Sequence, residues 1–388
     1  MSDRICVWDL GACGDGIHDD YEALQRSLDA GAAEIEIPQG IYCVSQTLKV
    51  HSNTHICADK GAKLVMKCTE PRHRNDFLLT NADTLHGNEN ISITGGIWDG
   101  NNRSEQTRKP DDLFDQNGYS GTVINFAGVT GLTLRHMVIA NSTTYYVRMN
   151  RVENFHIEDI SFISDRTGWN QDGLHFGGSV RHGTVKDIRA LSYGQTNDDM
   201  IALNADDSLE RVENLDGCRD AIEDITFENI YCECCHCIIR MLSVTAPIRN
   251  IRFKNVFGGY RNYAVNGAAA RYCRTPLFQD ADHPEGVGCI EHIEFENFRC
   301  HPVKEPLSSW EGSKGNCRVG LMLETRIDHF HISGFHFVQE KGGEECVALR
   351  MKNTPKQRLV ADGRTYETHD TSDIVEIPAF NELLINRL

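Results

Sequence analysis

The feature that most constrains this chain is a short unit, apolar-x-apolar-x-x-apolar, that recurs along most of its length. It appears as NISITGG from Asn90, GLTLRHMVI from Gly131, NFHIEDISF from Asn154 and DITFENIYC from Asp224. It returns as NIRFKNVFG from Asn250, HIEFENFRC from His292 and HFHISGFHF from His329. Strands this short bury nothing singly, but stacked on like neighbours each inward side chain packs on its equivalents above and below. The first apolar positions are Ile91, Leu132, Phe155, Ile225, Ile251, Ile293 and Phe330. Steps of 23 residues (132 to 155) and 26 (225 to 251) fit single turns of a solenoid. Steps of 41, 42 and 37 fit turns with long loops, and 70 (155 to 225) leaves room for more than one turn. The unit therefore predicts an all-β chain wound as a β-helix. A β-sandwich also uses short strands but would not repeat one local pattern at this period, and the Leu and Asn ladder of a leucine-rich repeat is missing.

The first 50 residues read differently. LGACGDGIHDDYEALQRSLDAG offers Asp19 or Asp20 as a helix N-cap, an apolar stripe of Tyr21, Leu24 and Leu28, and Gly31 as a stop. A helix over the open end of a solenoid covers an edge that would otherwise pair with another chain. With no Pro- or Gly/Ser-rich linker in between, the expectation is a single domain over 1–388. It divides into an N-terminal cap (1–50), coils (51–345) and a C-terminal cap or subunit-contact segment (346–388). A homo-oligomer is left open.

The most unusual chemistry is the adjacent pair Asp198 and Asp199 in NDDMIAL, entering an apolar run. Asp172, in NQDGLHF, lies 27 residues earlier (199 − 172), a plausible single coil. Coils stack about 4.8 Å apart, so equivalent positions bring these carboxylates together on one face. Crowded acids cannot all ionise, and one proton should stay on. A protonated acid beside carboxylate bases is what glycoside hydrolysis needs. His236 follows 37 residues after Asp199 (236 − 199), one coil further if DSLERVENLDGCRD forms a loop. The plainer reading is that NQDG and NDD are turn sequences.

CECCHC, residues 232–237, invites a zinc reading. On a regular strand Cys232, Cys234 and His236 face one side and Cys235 and Cys237 the other, so four ligands do not converge. The expectation is no metal and no cofactor. For sugar stacking the candidates are Trp169 and the Tyr145–Tyr146 pair. For anchoring an acidic group they are Arg148, Arg240 and Arg271, with Arg240 on the strand face of His236.

From this point the chain resembles a known family. GACGDGIHDD, IPQGIY and GGIWDGNN look like the N-terminal part of pectin-degrading, pectate-lyase-like β-helix proteins. The centre resembles glycoside hydrolase family 28, the polygalacturonases and their relatives. That family carries Asn-x-Asp, a paired Asp-Asp, Gly-His-Gly and Arg-x-Lys. Here Asn170 and Asp172 match the first motif and Asp198 and Asp199 the second. His236 matches the third, with Cys235 and Cys237 where glycines are usual, and no convincing Arg-x-Lys accompanies them. The resemblance implies a right-handed parallel β-helix and hydrolysis with inversion. It implies Asp198 as general acid, Asp172 and Asp199 activating water, His236 assisting, and Asn170 meeting substrate. The basic motif normally meets the galacturonate carboxylate.

Composition sets the compartment and partners. A net charge of −17 opposes nucleic-acid binding, and no apolar window approaches the roughly 20 residues that cross a bilayer. Fifteen scattered cysteines and an opening, MSDRICVWDL, with no signal-like pattern point to a reducing cytoplasm. A cytoplasmic enzyme meets imported oligosaccharides, so exo-acting trimming is the expectation. Two alternatives remain at this stage. One is a lyase or epimerase on the same fold, with a Lys, Arg or Tyr base and often calcium. The other is a non-catalytic, phage-tail-like β-helix that binds glycan.

Overall fold

A computed structural model describes residues 3–67, 76–102, 121–168, 170–206, 217–271, 278–303, 318–339 and 346–388. Its 25 described strands hydrogen-bond into one continuous sheet wound as a parallel, right-handed β-helix. The recurring unit sets the register. Ile91, Leu132, Phe155, Gly183, Ile225, Ile251, Ile293 and Phe330 align rung on rung. All the apolar ones are buried. The 70-residue step thus contains one extra coil, with glycine at the apolar position. A Cβ on Gly183 would lie 1.9 Å from Cζ of Phe155, whose ring fills the space.

Two ladders explain the unit itself. Its second apolar position stacks Phe227 on Phe253 and Phe253 on Phe295, with ring centroids 4.7 Å apart at both steps. Its Asn positions bend the strand. Asn229, Asn255 and Asn297 all adopt left-handed backbone, with φ of 59°, 56° and 59°, a conformation that asparagine tolerates better than most residues. Their side chains form a hydrogen-bonded file, Asn255 Nδ2 donating to Asn229 Oδ1 at 2.9 Å and Asn297 Nδ2 to Asn255 Oδ1 at 2.8 Å.

Both ends are covered. The helix Tyr21–Asp29 buries Leu24 and Leu28 against the strand Leu48–Val50 and the turn Val7–Leu10. Asp20 stands at its N-cap position, but its carboxylate does not cap the helix. It accepts instead from the backbone N–H groups of Cys13 (2.6 Å) and Gly14 (3.3 Å). At the other end Ile374–Ile377 and Glu382–Arg387 run antiparallel to Val347–Lys352 and Ile327–Phe337. That pairing ends the parallel edge, which otherwise invites further strands.

One sequence expectation fails in the Cys-rich strand. A bulge interrupts its register between Cys232 and Cys235 and again between Cys235 and Cys237. The simple alternation is therefore broken: Cys232 and Cys235 both enter the core, their sulfurs 3.1 Å apart. Asp206 stands in the turn after Asp199–Asn204, where it is buried and accepts from the backbone N–H groups of Val244, Thr245 and Ala246.

Candidate active site

The site lies where successive coils turn into the strands Leu174–Phe176, Asp199–Asn204 and the second half of Ile222–Leu242. Backbone bonds set the layers. Gly173 N–H donates to Asp199 O at 2.9 Å, and His236 N–H to Thr196 O at 3.1 Å. Asp199 is the rung partner of Cys237, which is the rung partner of Tyr263. Stacking therefore brings Asp172, Asp198 and Asp199 together, with one oxygen of each lying within 4.8 Å of the others. Three oxygen ligands so placed could also gather a hard cation.

The trio is buried, and its members differ. Burial, then the neighbouring Asp199 and Asp172 charges, hold Asp198 well above the usual carboxylate range, against the pull of Arg240 and Arg261. Burial and Asp172 push Asp199 up to about 7, opposed by Arg240, His175 and the Cys237 thiol. Asp172 is furnished with donors on both oxygens. His175 Nδ1 lies 2.6 Å from Oδ2, and the Asp199 N–H donates to Oδ1 at 3.2 Å. His236 is pushed down to about 3 by burial and by the Arg261 and Arg240 charges. It is therefore a neutral imidazole, with Nε2 accepting from Asn262 Nδ2 at 3.1 Å.

The other sequence candidates divide. Arg148 and Arg240 lie in one row on the face of the sheet away from the core. That row runs Asn125, Arg148, His175, Ala202, Arg240 and Asn266 across successive coils. Arg240, whose charge acts on Asp198 and Asp199, thus belongs to the site wall, whereas Arg148 is corrected: it is wholly buried and has no face to offer an acidic group. Asn170 sits in the turn before Asp172 with left-handed backbone, and Trp169 lies outside the described residues. Tyr146 is corrected: it is wholly buried, its hydroxyl donating to Gln195 Oε1 at 3.0 Å, so it has no face to offer a sugar. Its neighbour Tyr145 lies against the His175 ring, centroids 4.1 Å apart. Arg271 is also corrected. Its guanidinium is clamped by both oxygens of Asp280, at 2.9 and 2.7 Å, with the Phe278 ring 4.9 Å away.

Two residues that sequence reasoning missed complete the site. His175 is buried and positions Asp172. Arg261 is also buried, and its Nε, Nη1 and Nη2 have no hydrogen-bond partner among the described residues. A charge in that condition is costly unless a ligand meets it. The signal was available in the 26-residue coil step from 225 to 251. Counted on from His236, it lands on Asn262, inside GYRNY.

The model of the family described as "Rhamnogalacturonase A/epimerase, pectate lyase-like" matches residues 5–261. The chain belongs to this family. Among relatives, an exopolygalacturonase of Arabidopsis thaliana is 23% identical over 353 residues, 84% of this chain and 68% of that protein. A preneck appendage protein of Bacillus phage PZA is 32% identical over 99 residues, 26% of this chain and only 12% of the phage protein. The chain therefore spans a small part of that relative's length. Three solved structures share the fold. An iota-carrageenase from A. fortis has a TM-score of 0.57 at 16% identity, covering 77% of this chain and 71% of that one. The Streptococcus pneumoniae surface adhesin PfbA has 0.55 at 12%, covering 95% and 99%. A family 28 exopolygalacturonase of Yersinia enterocolitica has 0.53 at 15%, covering 88% and 76%. In this family member, then, a pectate-lyase-like β-helix presents three buried carboxylates beside two arginines and a neutral histidine.

Proposed function

We propose that the protein is a glycoside hydrolase that trims an anionic oligosaccharide from one end, with water displacing the leaving sugar and inverting the anomeric centre. The observation that carries this reading is the crowded carboxylate trio. Asp198, held well above the usual carboxylate range by burial and by its acidic neighbours, is the general acid and gives its proton to the glycosidic oxygen. Asp172, with donors on both oxygens, and Asp199 orient the attacking water and take up its proton. Neutral His236 accepts from Asn262 through Nε2 and holds its place beside the acid and the sugar. Arg261, with Arg240, meets the carboxylate or sulfate of the substrate. The Arabidopsis relative, an exopolygalacturonase matched over most of its length, supports end-wise action. The free state of all twelve described cysteines supports a reducing compartment.

The phage appendage relative favours a second reading, a glycan-binding fibre module without catalysis. One set of assays separates them. The protein is incubated with neutral, uronate and sulfated oligosaccharides, and reducing ends, unsaturated products and the first-formed anomer are followed. Inverted product with one new reducing end per bond supports the hydrolase. An unsaturated product overturns it in favour of a lyase. Binding with no turnover of any member favours the appendage reading. The nearest oxygens of the trio are closer than the roughly 6.5–9.5 Å usual between carboxyl groups of inverting enzymes, which makes the anomer the sharpest readout. Retention would convert one aspartate from base to nucleophile.

A further inference from the structure

Apart from the acid trio, one other group of described residues gathers three metal-ligating atoms within 4.8 Å of one another: Glu34, His55 and Cys57. It lies on the outer face of the first coils. Strands Glu34–Ile37 and Thr54–Ala58 pair in parallel with Glu34 opposite His55 and Glu36 opposite Cys57. Ile35, Ile37 and Ile56 point into the core, so these four polar residues form a rectangle facing out. The two donors on one strand, His55 and Cys57, are two residues apart, a spacing that puts both on the same face.

The distances suit a tetrahedral cation. Cys57 Sγ lies 3.5 Å from His55 Nδ1. In a zinc site with bonds of about 2.3 Å to sulfur and about 2.05 Å to nitrogen, two such ligand atoms stand about 3.5 Å apart. The sulfur is also 3.4 Å from Nε2, so the imidazole must turn about Cβ–Cγ to aim Nδ1 at the shared ion. Its other nitrogen is already engaged. Nε2 lies 3.2 Å from Thr94 Oγ1 on the next coil, and donating there leaves the Nδ1 lone pair for a metal. Arg4 grips one oxygen of Glu34 (3.1 Å) and one of Glu36 (2.9 Å), which steadies both carboxylates. With Cys57 as thiolate, three negative groups meet Arg4 and a divalent ion, and the cluster is neutral.

We propose that Glu34, His55 Nδ1 and Cys57 bind a zinc-class divalent cation, with water in the fourth position, and so staple the first two coils of the solenoid together. A thiolate and an imidazole select zinc over calcium or magnesium. Binding displaces the Cys57 thiol proton to solvent and makes Zn–S, Zn–N and Zn–O bonds, with no change of oxidation state. The site is separate from the acid trio, whose all-oxygen donor set suits harder ions.

The test uses the full chain, stripped with chelator and titrated with cobalt(II) and then zinc(II). The expected result is a near-ultraviolet sulfur-to-cobalt charge-transfer band with tetrahedral visible absorption, both erased by zinc. Zinc should also raise the melting temperature. Cys57→Ser and His55→Gln should each lose the band, Thr94→Val should weaken binding about tenfold, and Asp198→Asn should keep it. Absence of the band in the unmodified chain overturns the proposal. So does an undiminished band in Cys57→Ser, which would assign the thiolate to another of the cysteines. If Cys57→Ser does not fold, His55→Gln, which keeps every thiol, decides by the same criterion.

Discussion

Two walls of the same solenoid use one backbone geometry to opposite ends. On the wall built by Ile222–Cys232, Ile248–Gly258 and Ile290–Cys300, like stacks on like: Phe253 between Phe227 and Phe295, Asn255 between Asn229 and Asn297. Asn229 and Asn255 each both give and receive, and each ring meets its own kind, so each coil stabilises the next. At the mouth of the neighbouring strands unlike groups stack, Arg148 on His175 and Arg240 on Asn266 in one row. Asp172, Asp198 and Asp199 crowd one another, and Arg261 is buried without a hydrogen-bond partner among the described residues. A repeat makes like-on-like packing automatic. Departure from it, coil after coil in one column, therefore marks where the fold has given up stability for chemistry.

The contrast can be broken by exchanging what each wall is for. The largest effect expected is on turnover. Asp198→Asn should lower kcat about 10²- to 10⁴-fold, while its melting temperature holds or rises because a crowded acid has gone. A melting temperature that falls as steeply as activity would make Asp198 a structural residue. On the ladder wall Phe253→Ala should do the reverse, costing about 3–5 kcal/mol of stability in denaturant unfolding while leaving the pH profile of activity unmoved. Arg261→Ala should lower kcat/KM for an acidic oligosaccharide about 100-fold, or about 2.7 kcal/mol, and spare a neutral one. An equal loss on both substrates would remove Arg261 from anion recognition.

The smallest effect is in pH dependence, and it has two opposing parts. Asp199 is raised from 3.8 to about 7 on folding, so between about pH 4 and 7 the folded state holds a proton that the unfolded chain releases. Stability from this group therefore falls as pH rises, by up to about 1.4 kcal/mol per pH unit. His236 is lowered from 6.5 to about 3, so between those values the unfolded chain holds the extra proton and stability from this group rises with pH. Asp198, raised in the same direction, adds to the fall, so Asp199→Asn should flatten it and His236→Gln should steepen it, in urea melts across pH 4 to 7. Parallel profiles for the two variants would sink the assignment of these groups.

Much of the solenoid was legible because its period is carried by side chains that must face inward. Seven of the eight aligned positions were identifiable as apolar. The eighth was hidden because Gly183 contributes only a space, which Phe155 occupies. Asp172, Asp198 and Asp199 could be grouped from coil spacing alone. What escaped depended on local departures from the repeat. The bulge at Cys232–Cys237 breaks alternation, and no spacing rule foretells a bulge. The turn buries both adjacent tyrosines, Tyr146 in the core and Tyr145 against His175. Arg261 fits no fixed motif, and only the coil step, which leads from His236 to the adjacent Asn262, points to it.

The pairing of Phe155 with Gly183 has a consequence for anyone who would build with these coils. Repeats of this kind invite treatment as interchangeable bricks, to be duplicated, deleted or reordered. Here two neighbouring bricks are keyed to each other. A Cβ at 183 would lie 1.9 Å from the ring above it, and glycine beneath any smaller residue would leave a void. The order of the coils is thus written into the core as well as into the site, and an engineered array must move that pair as one block.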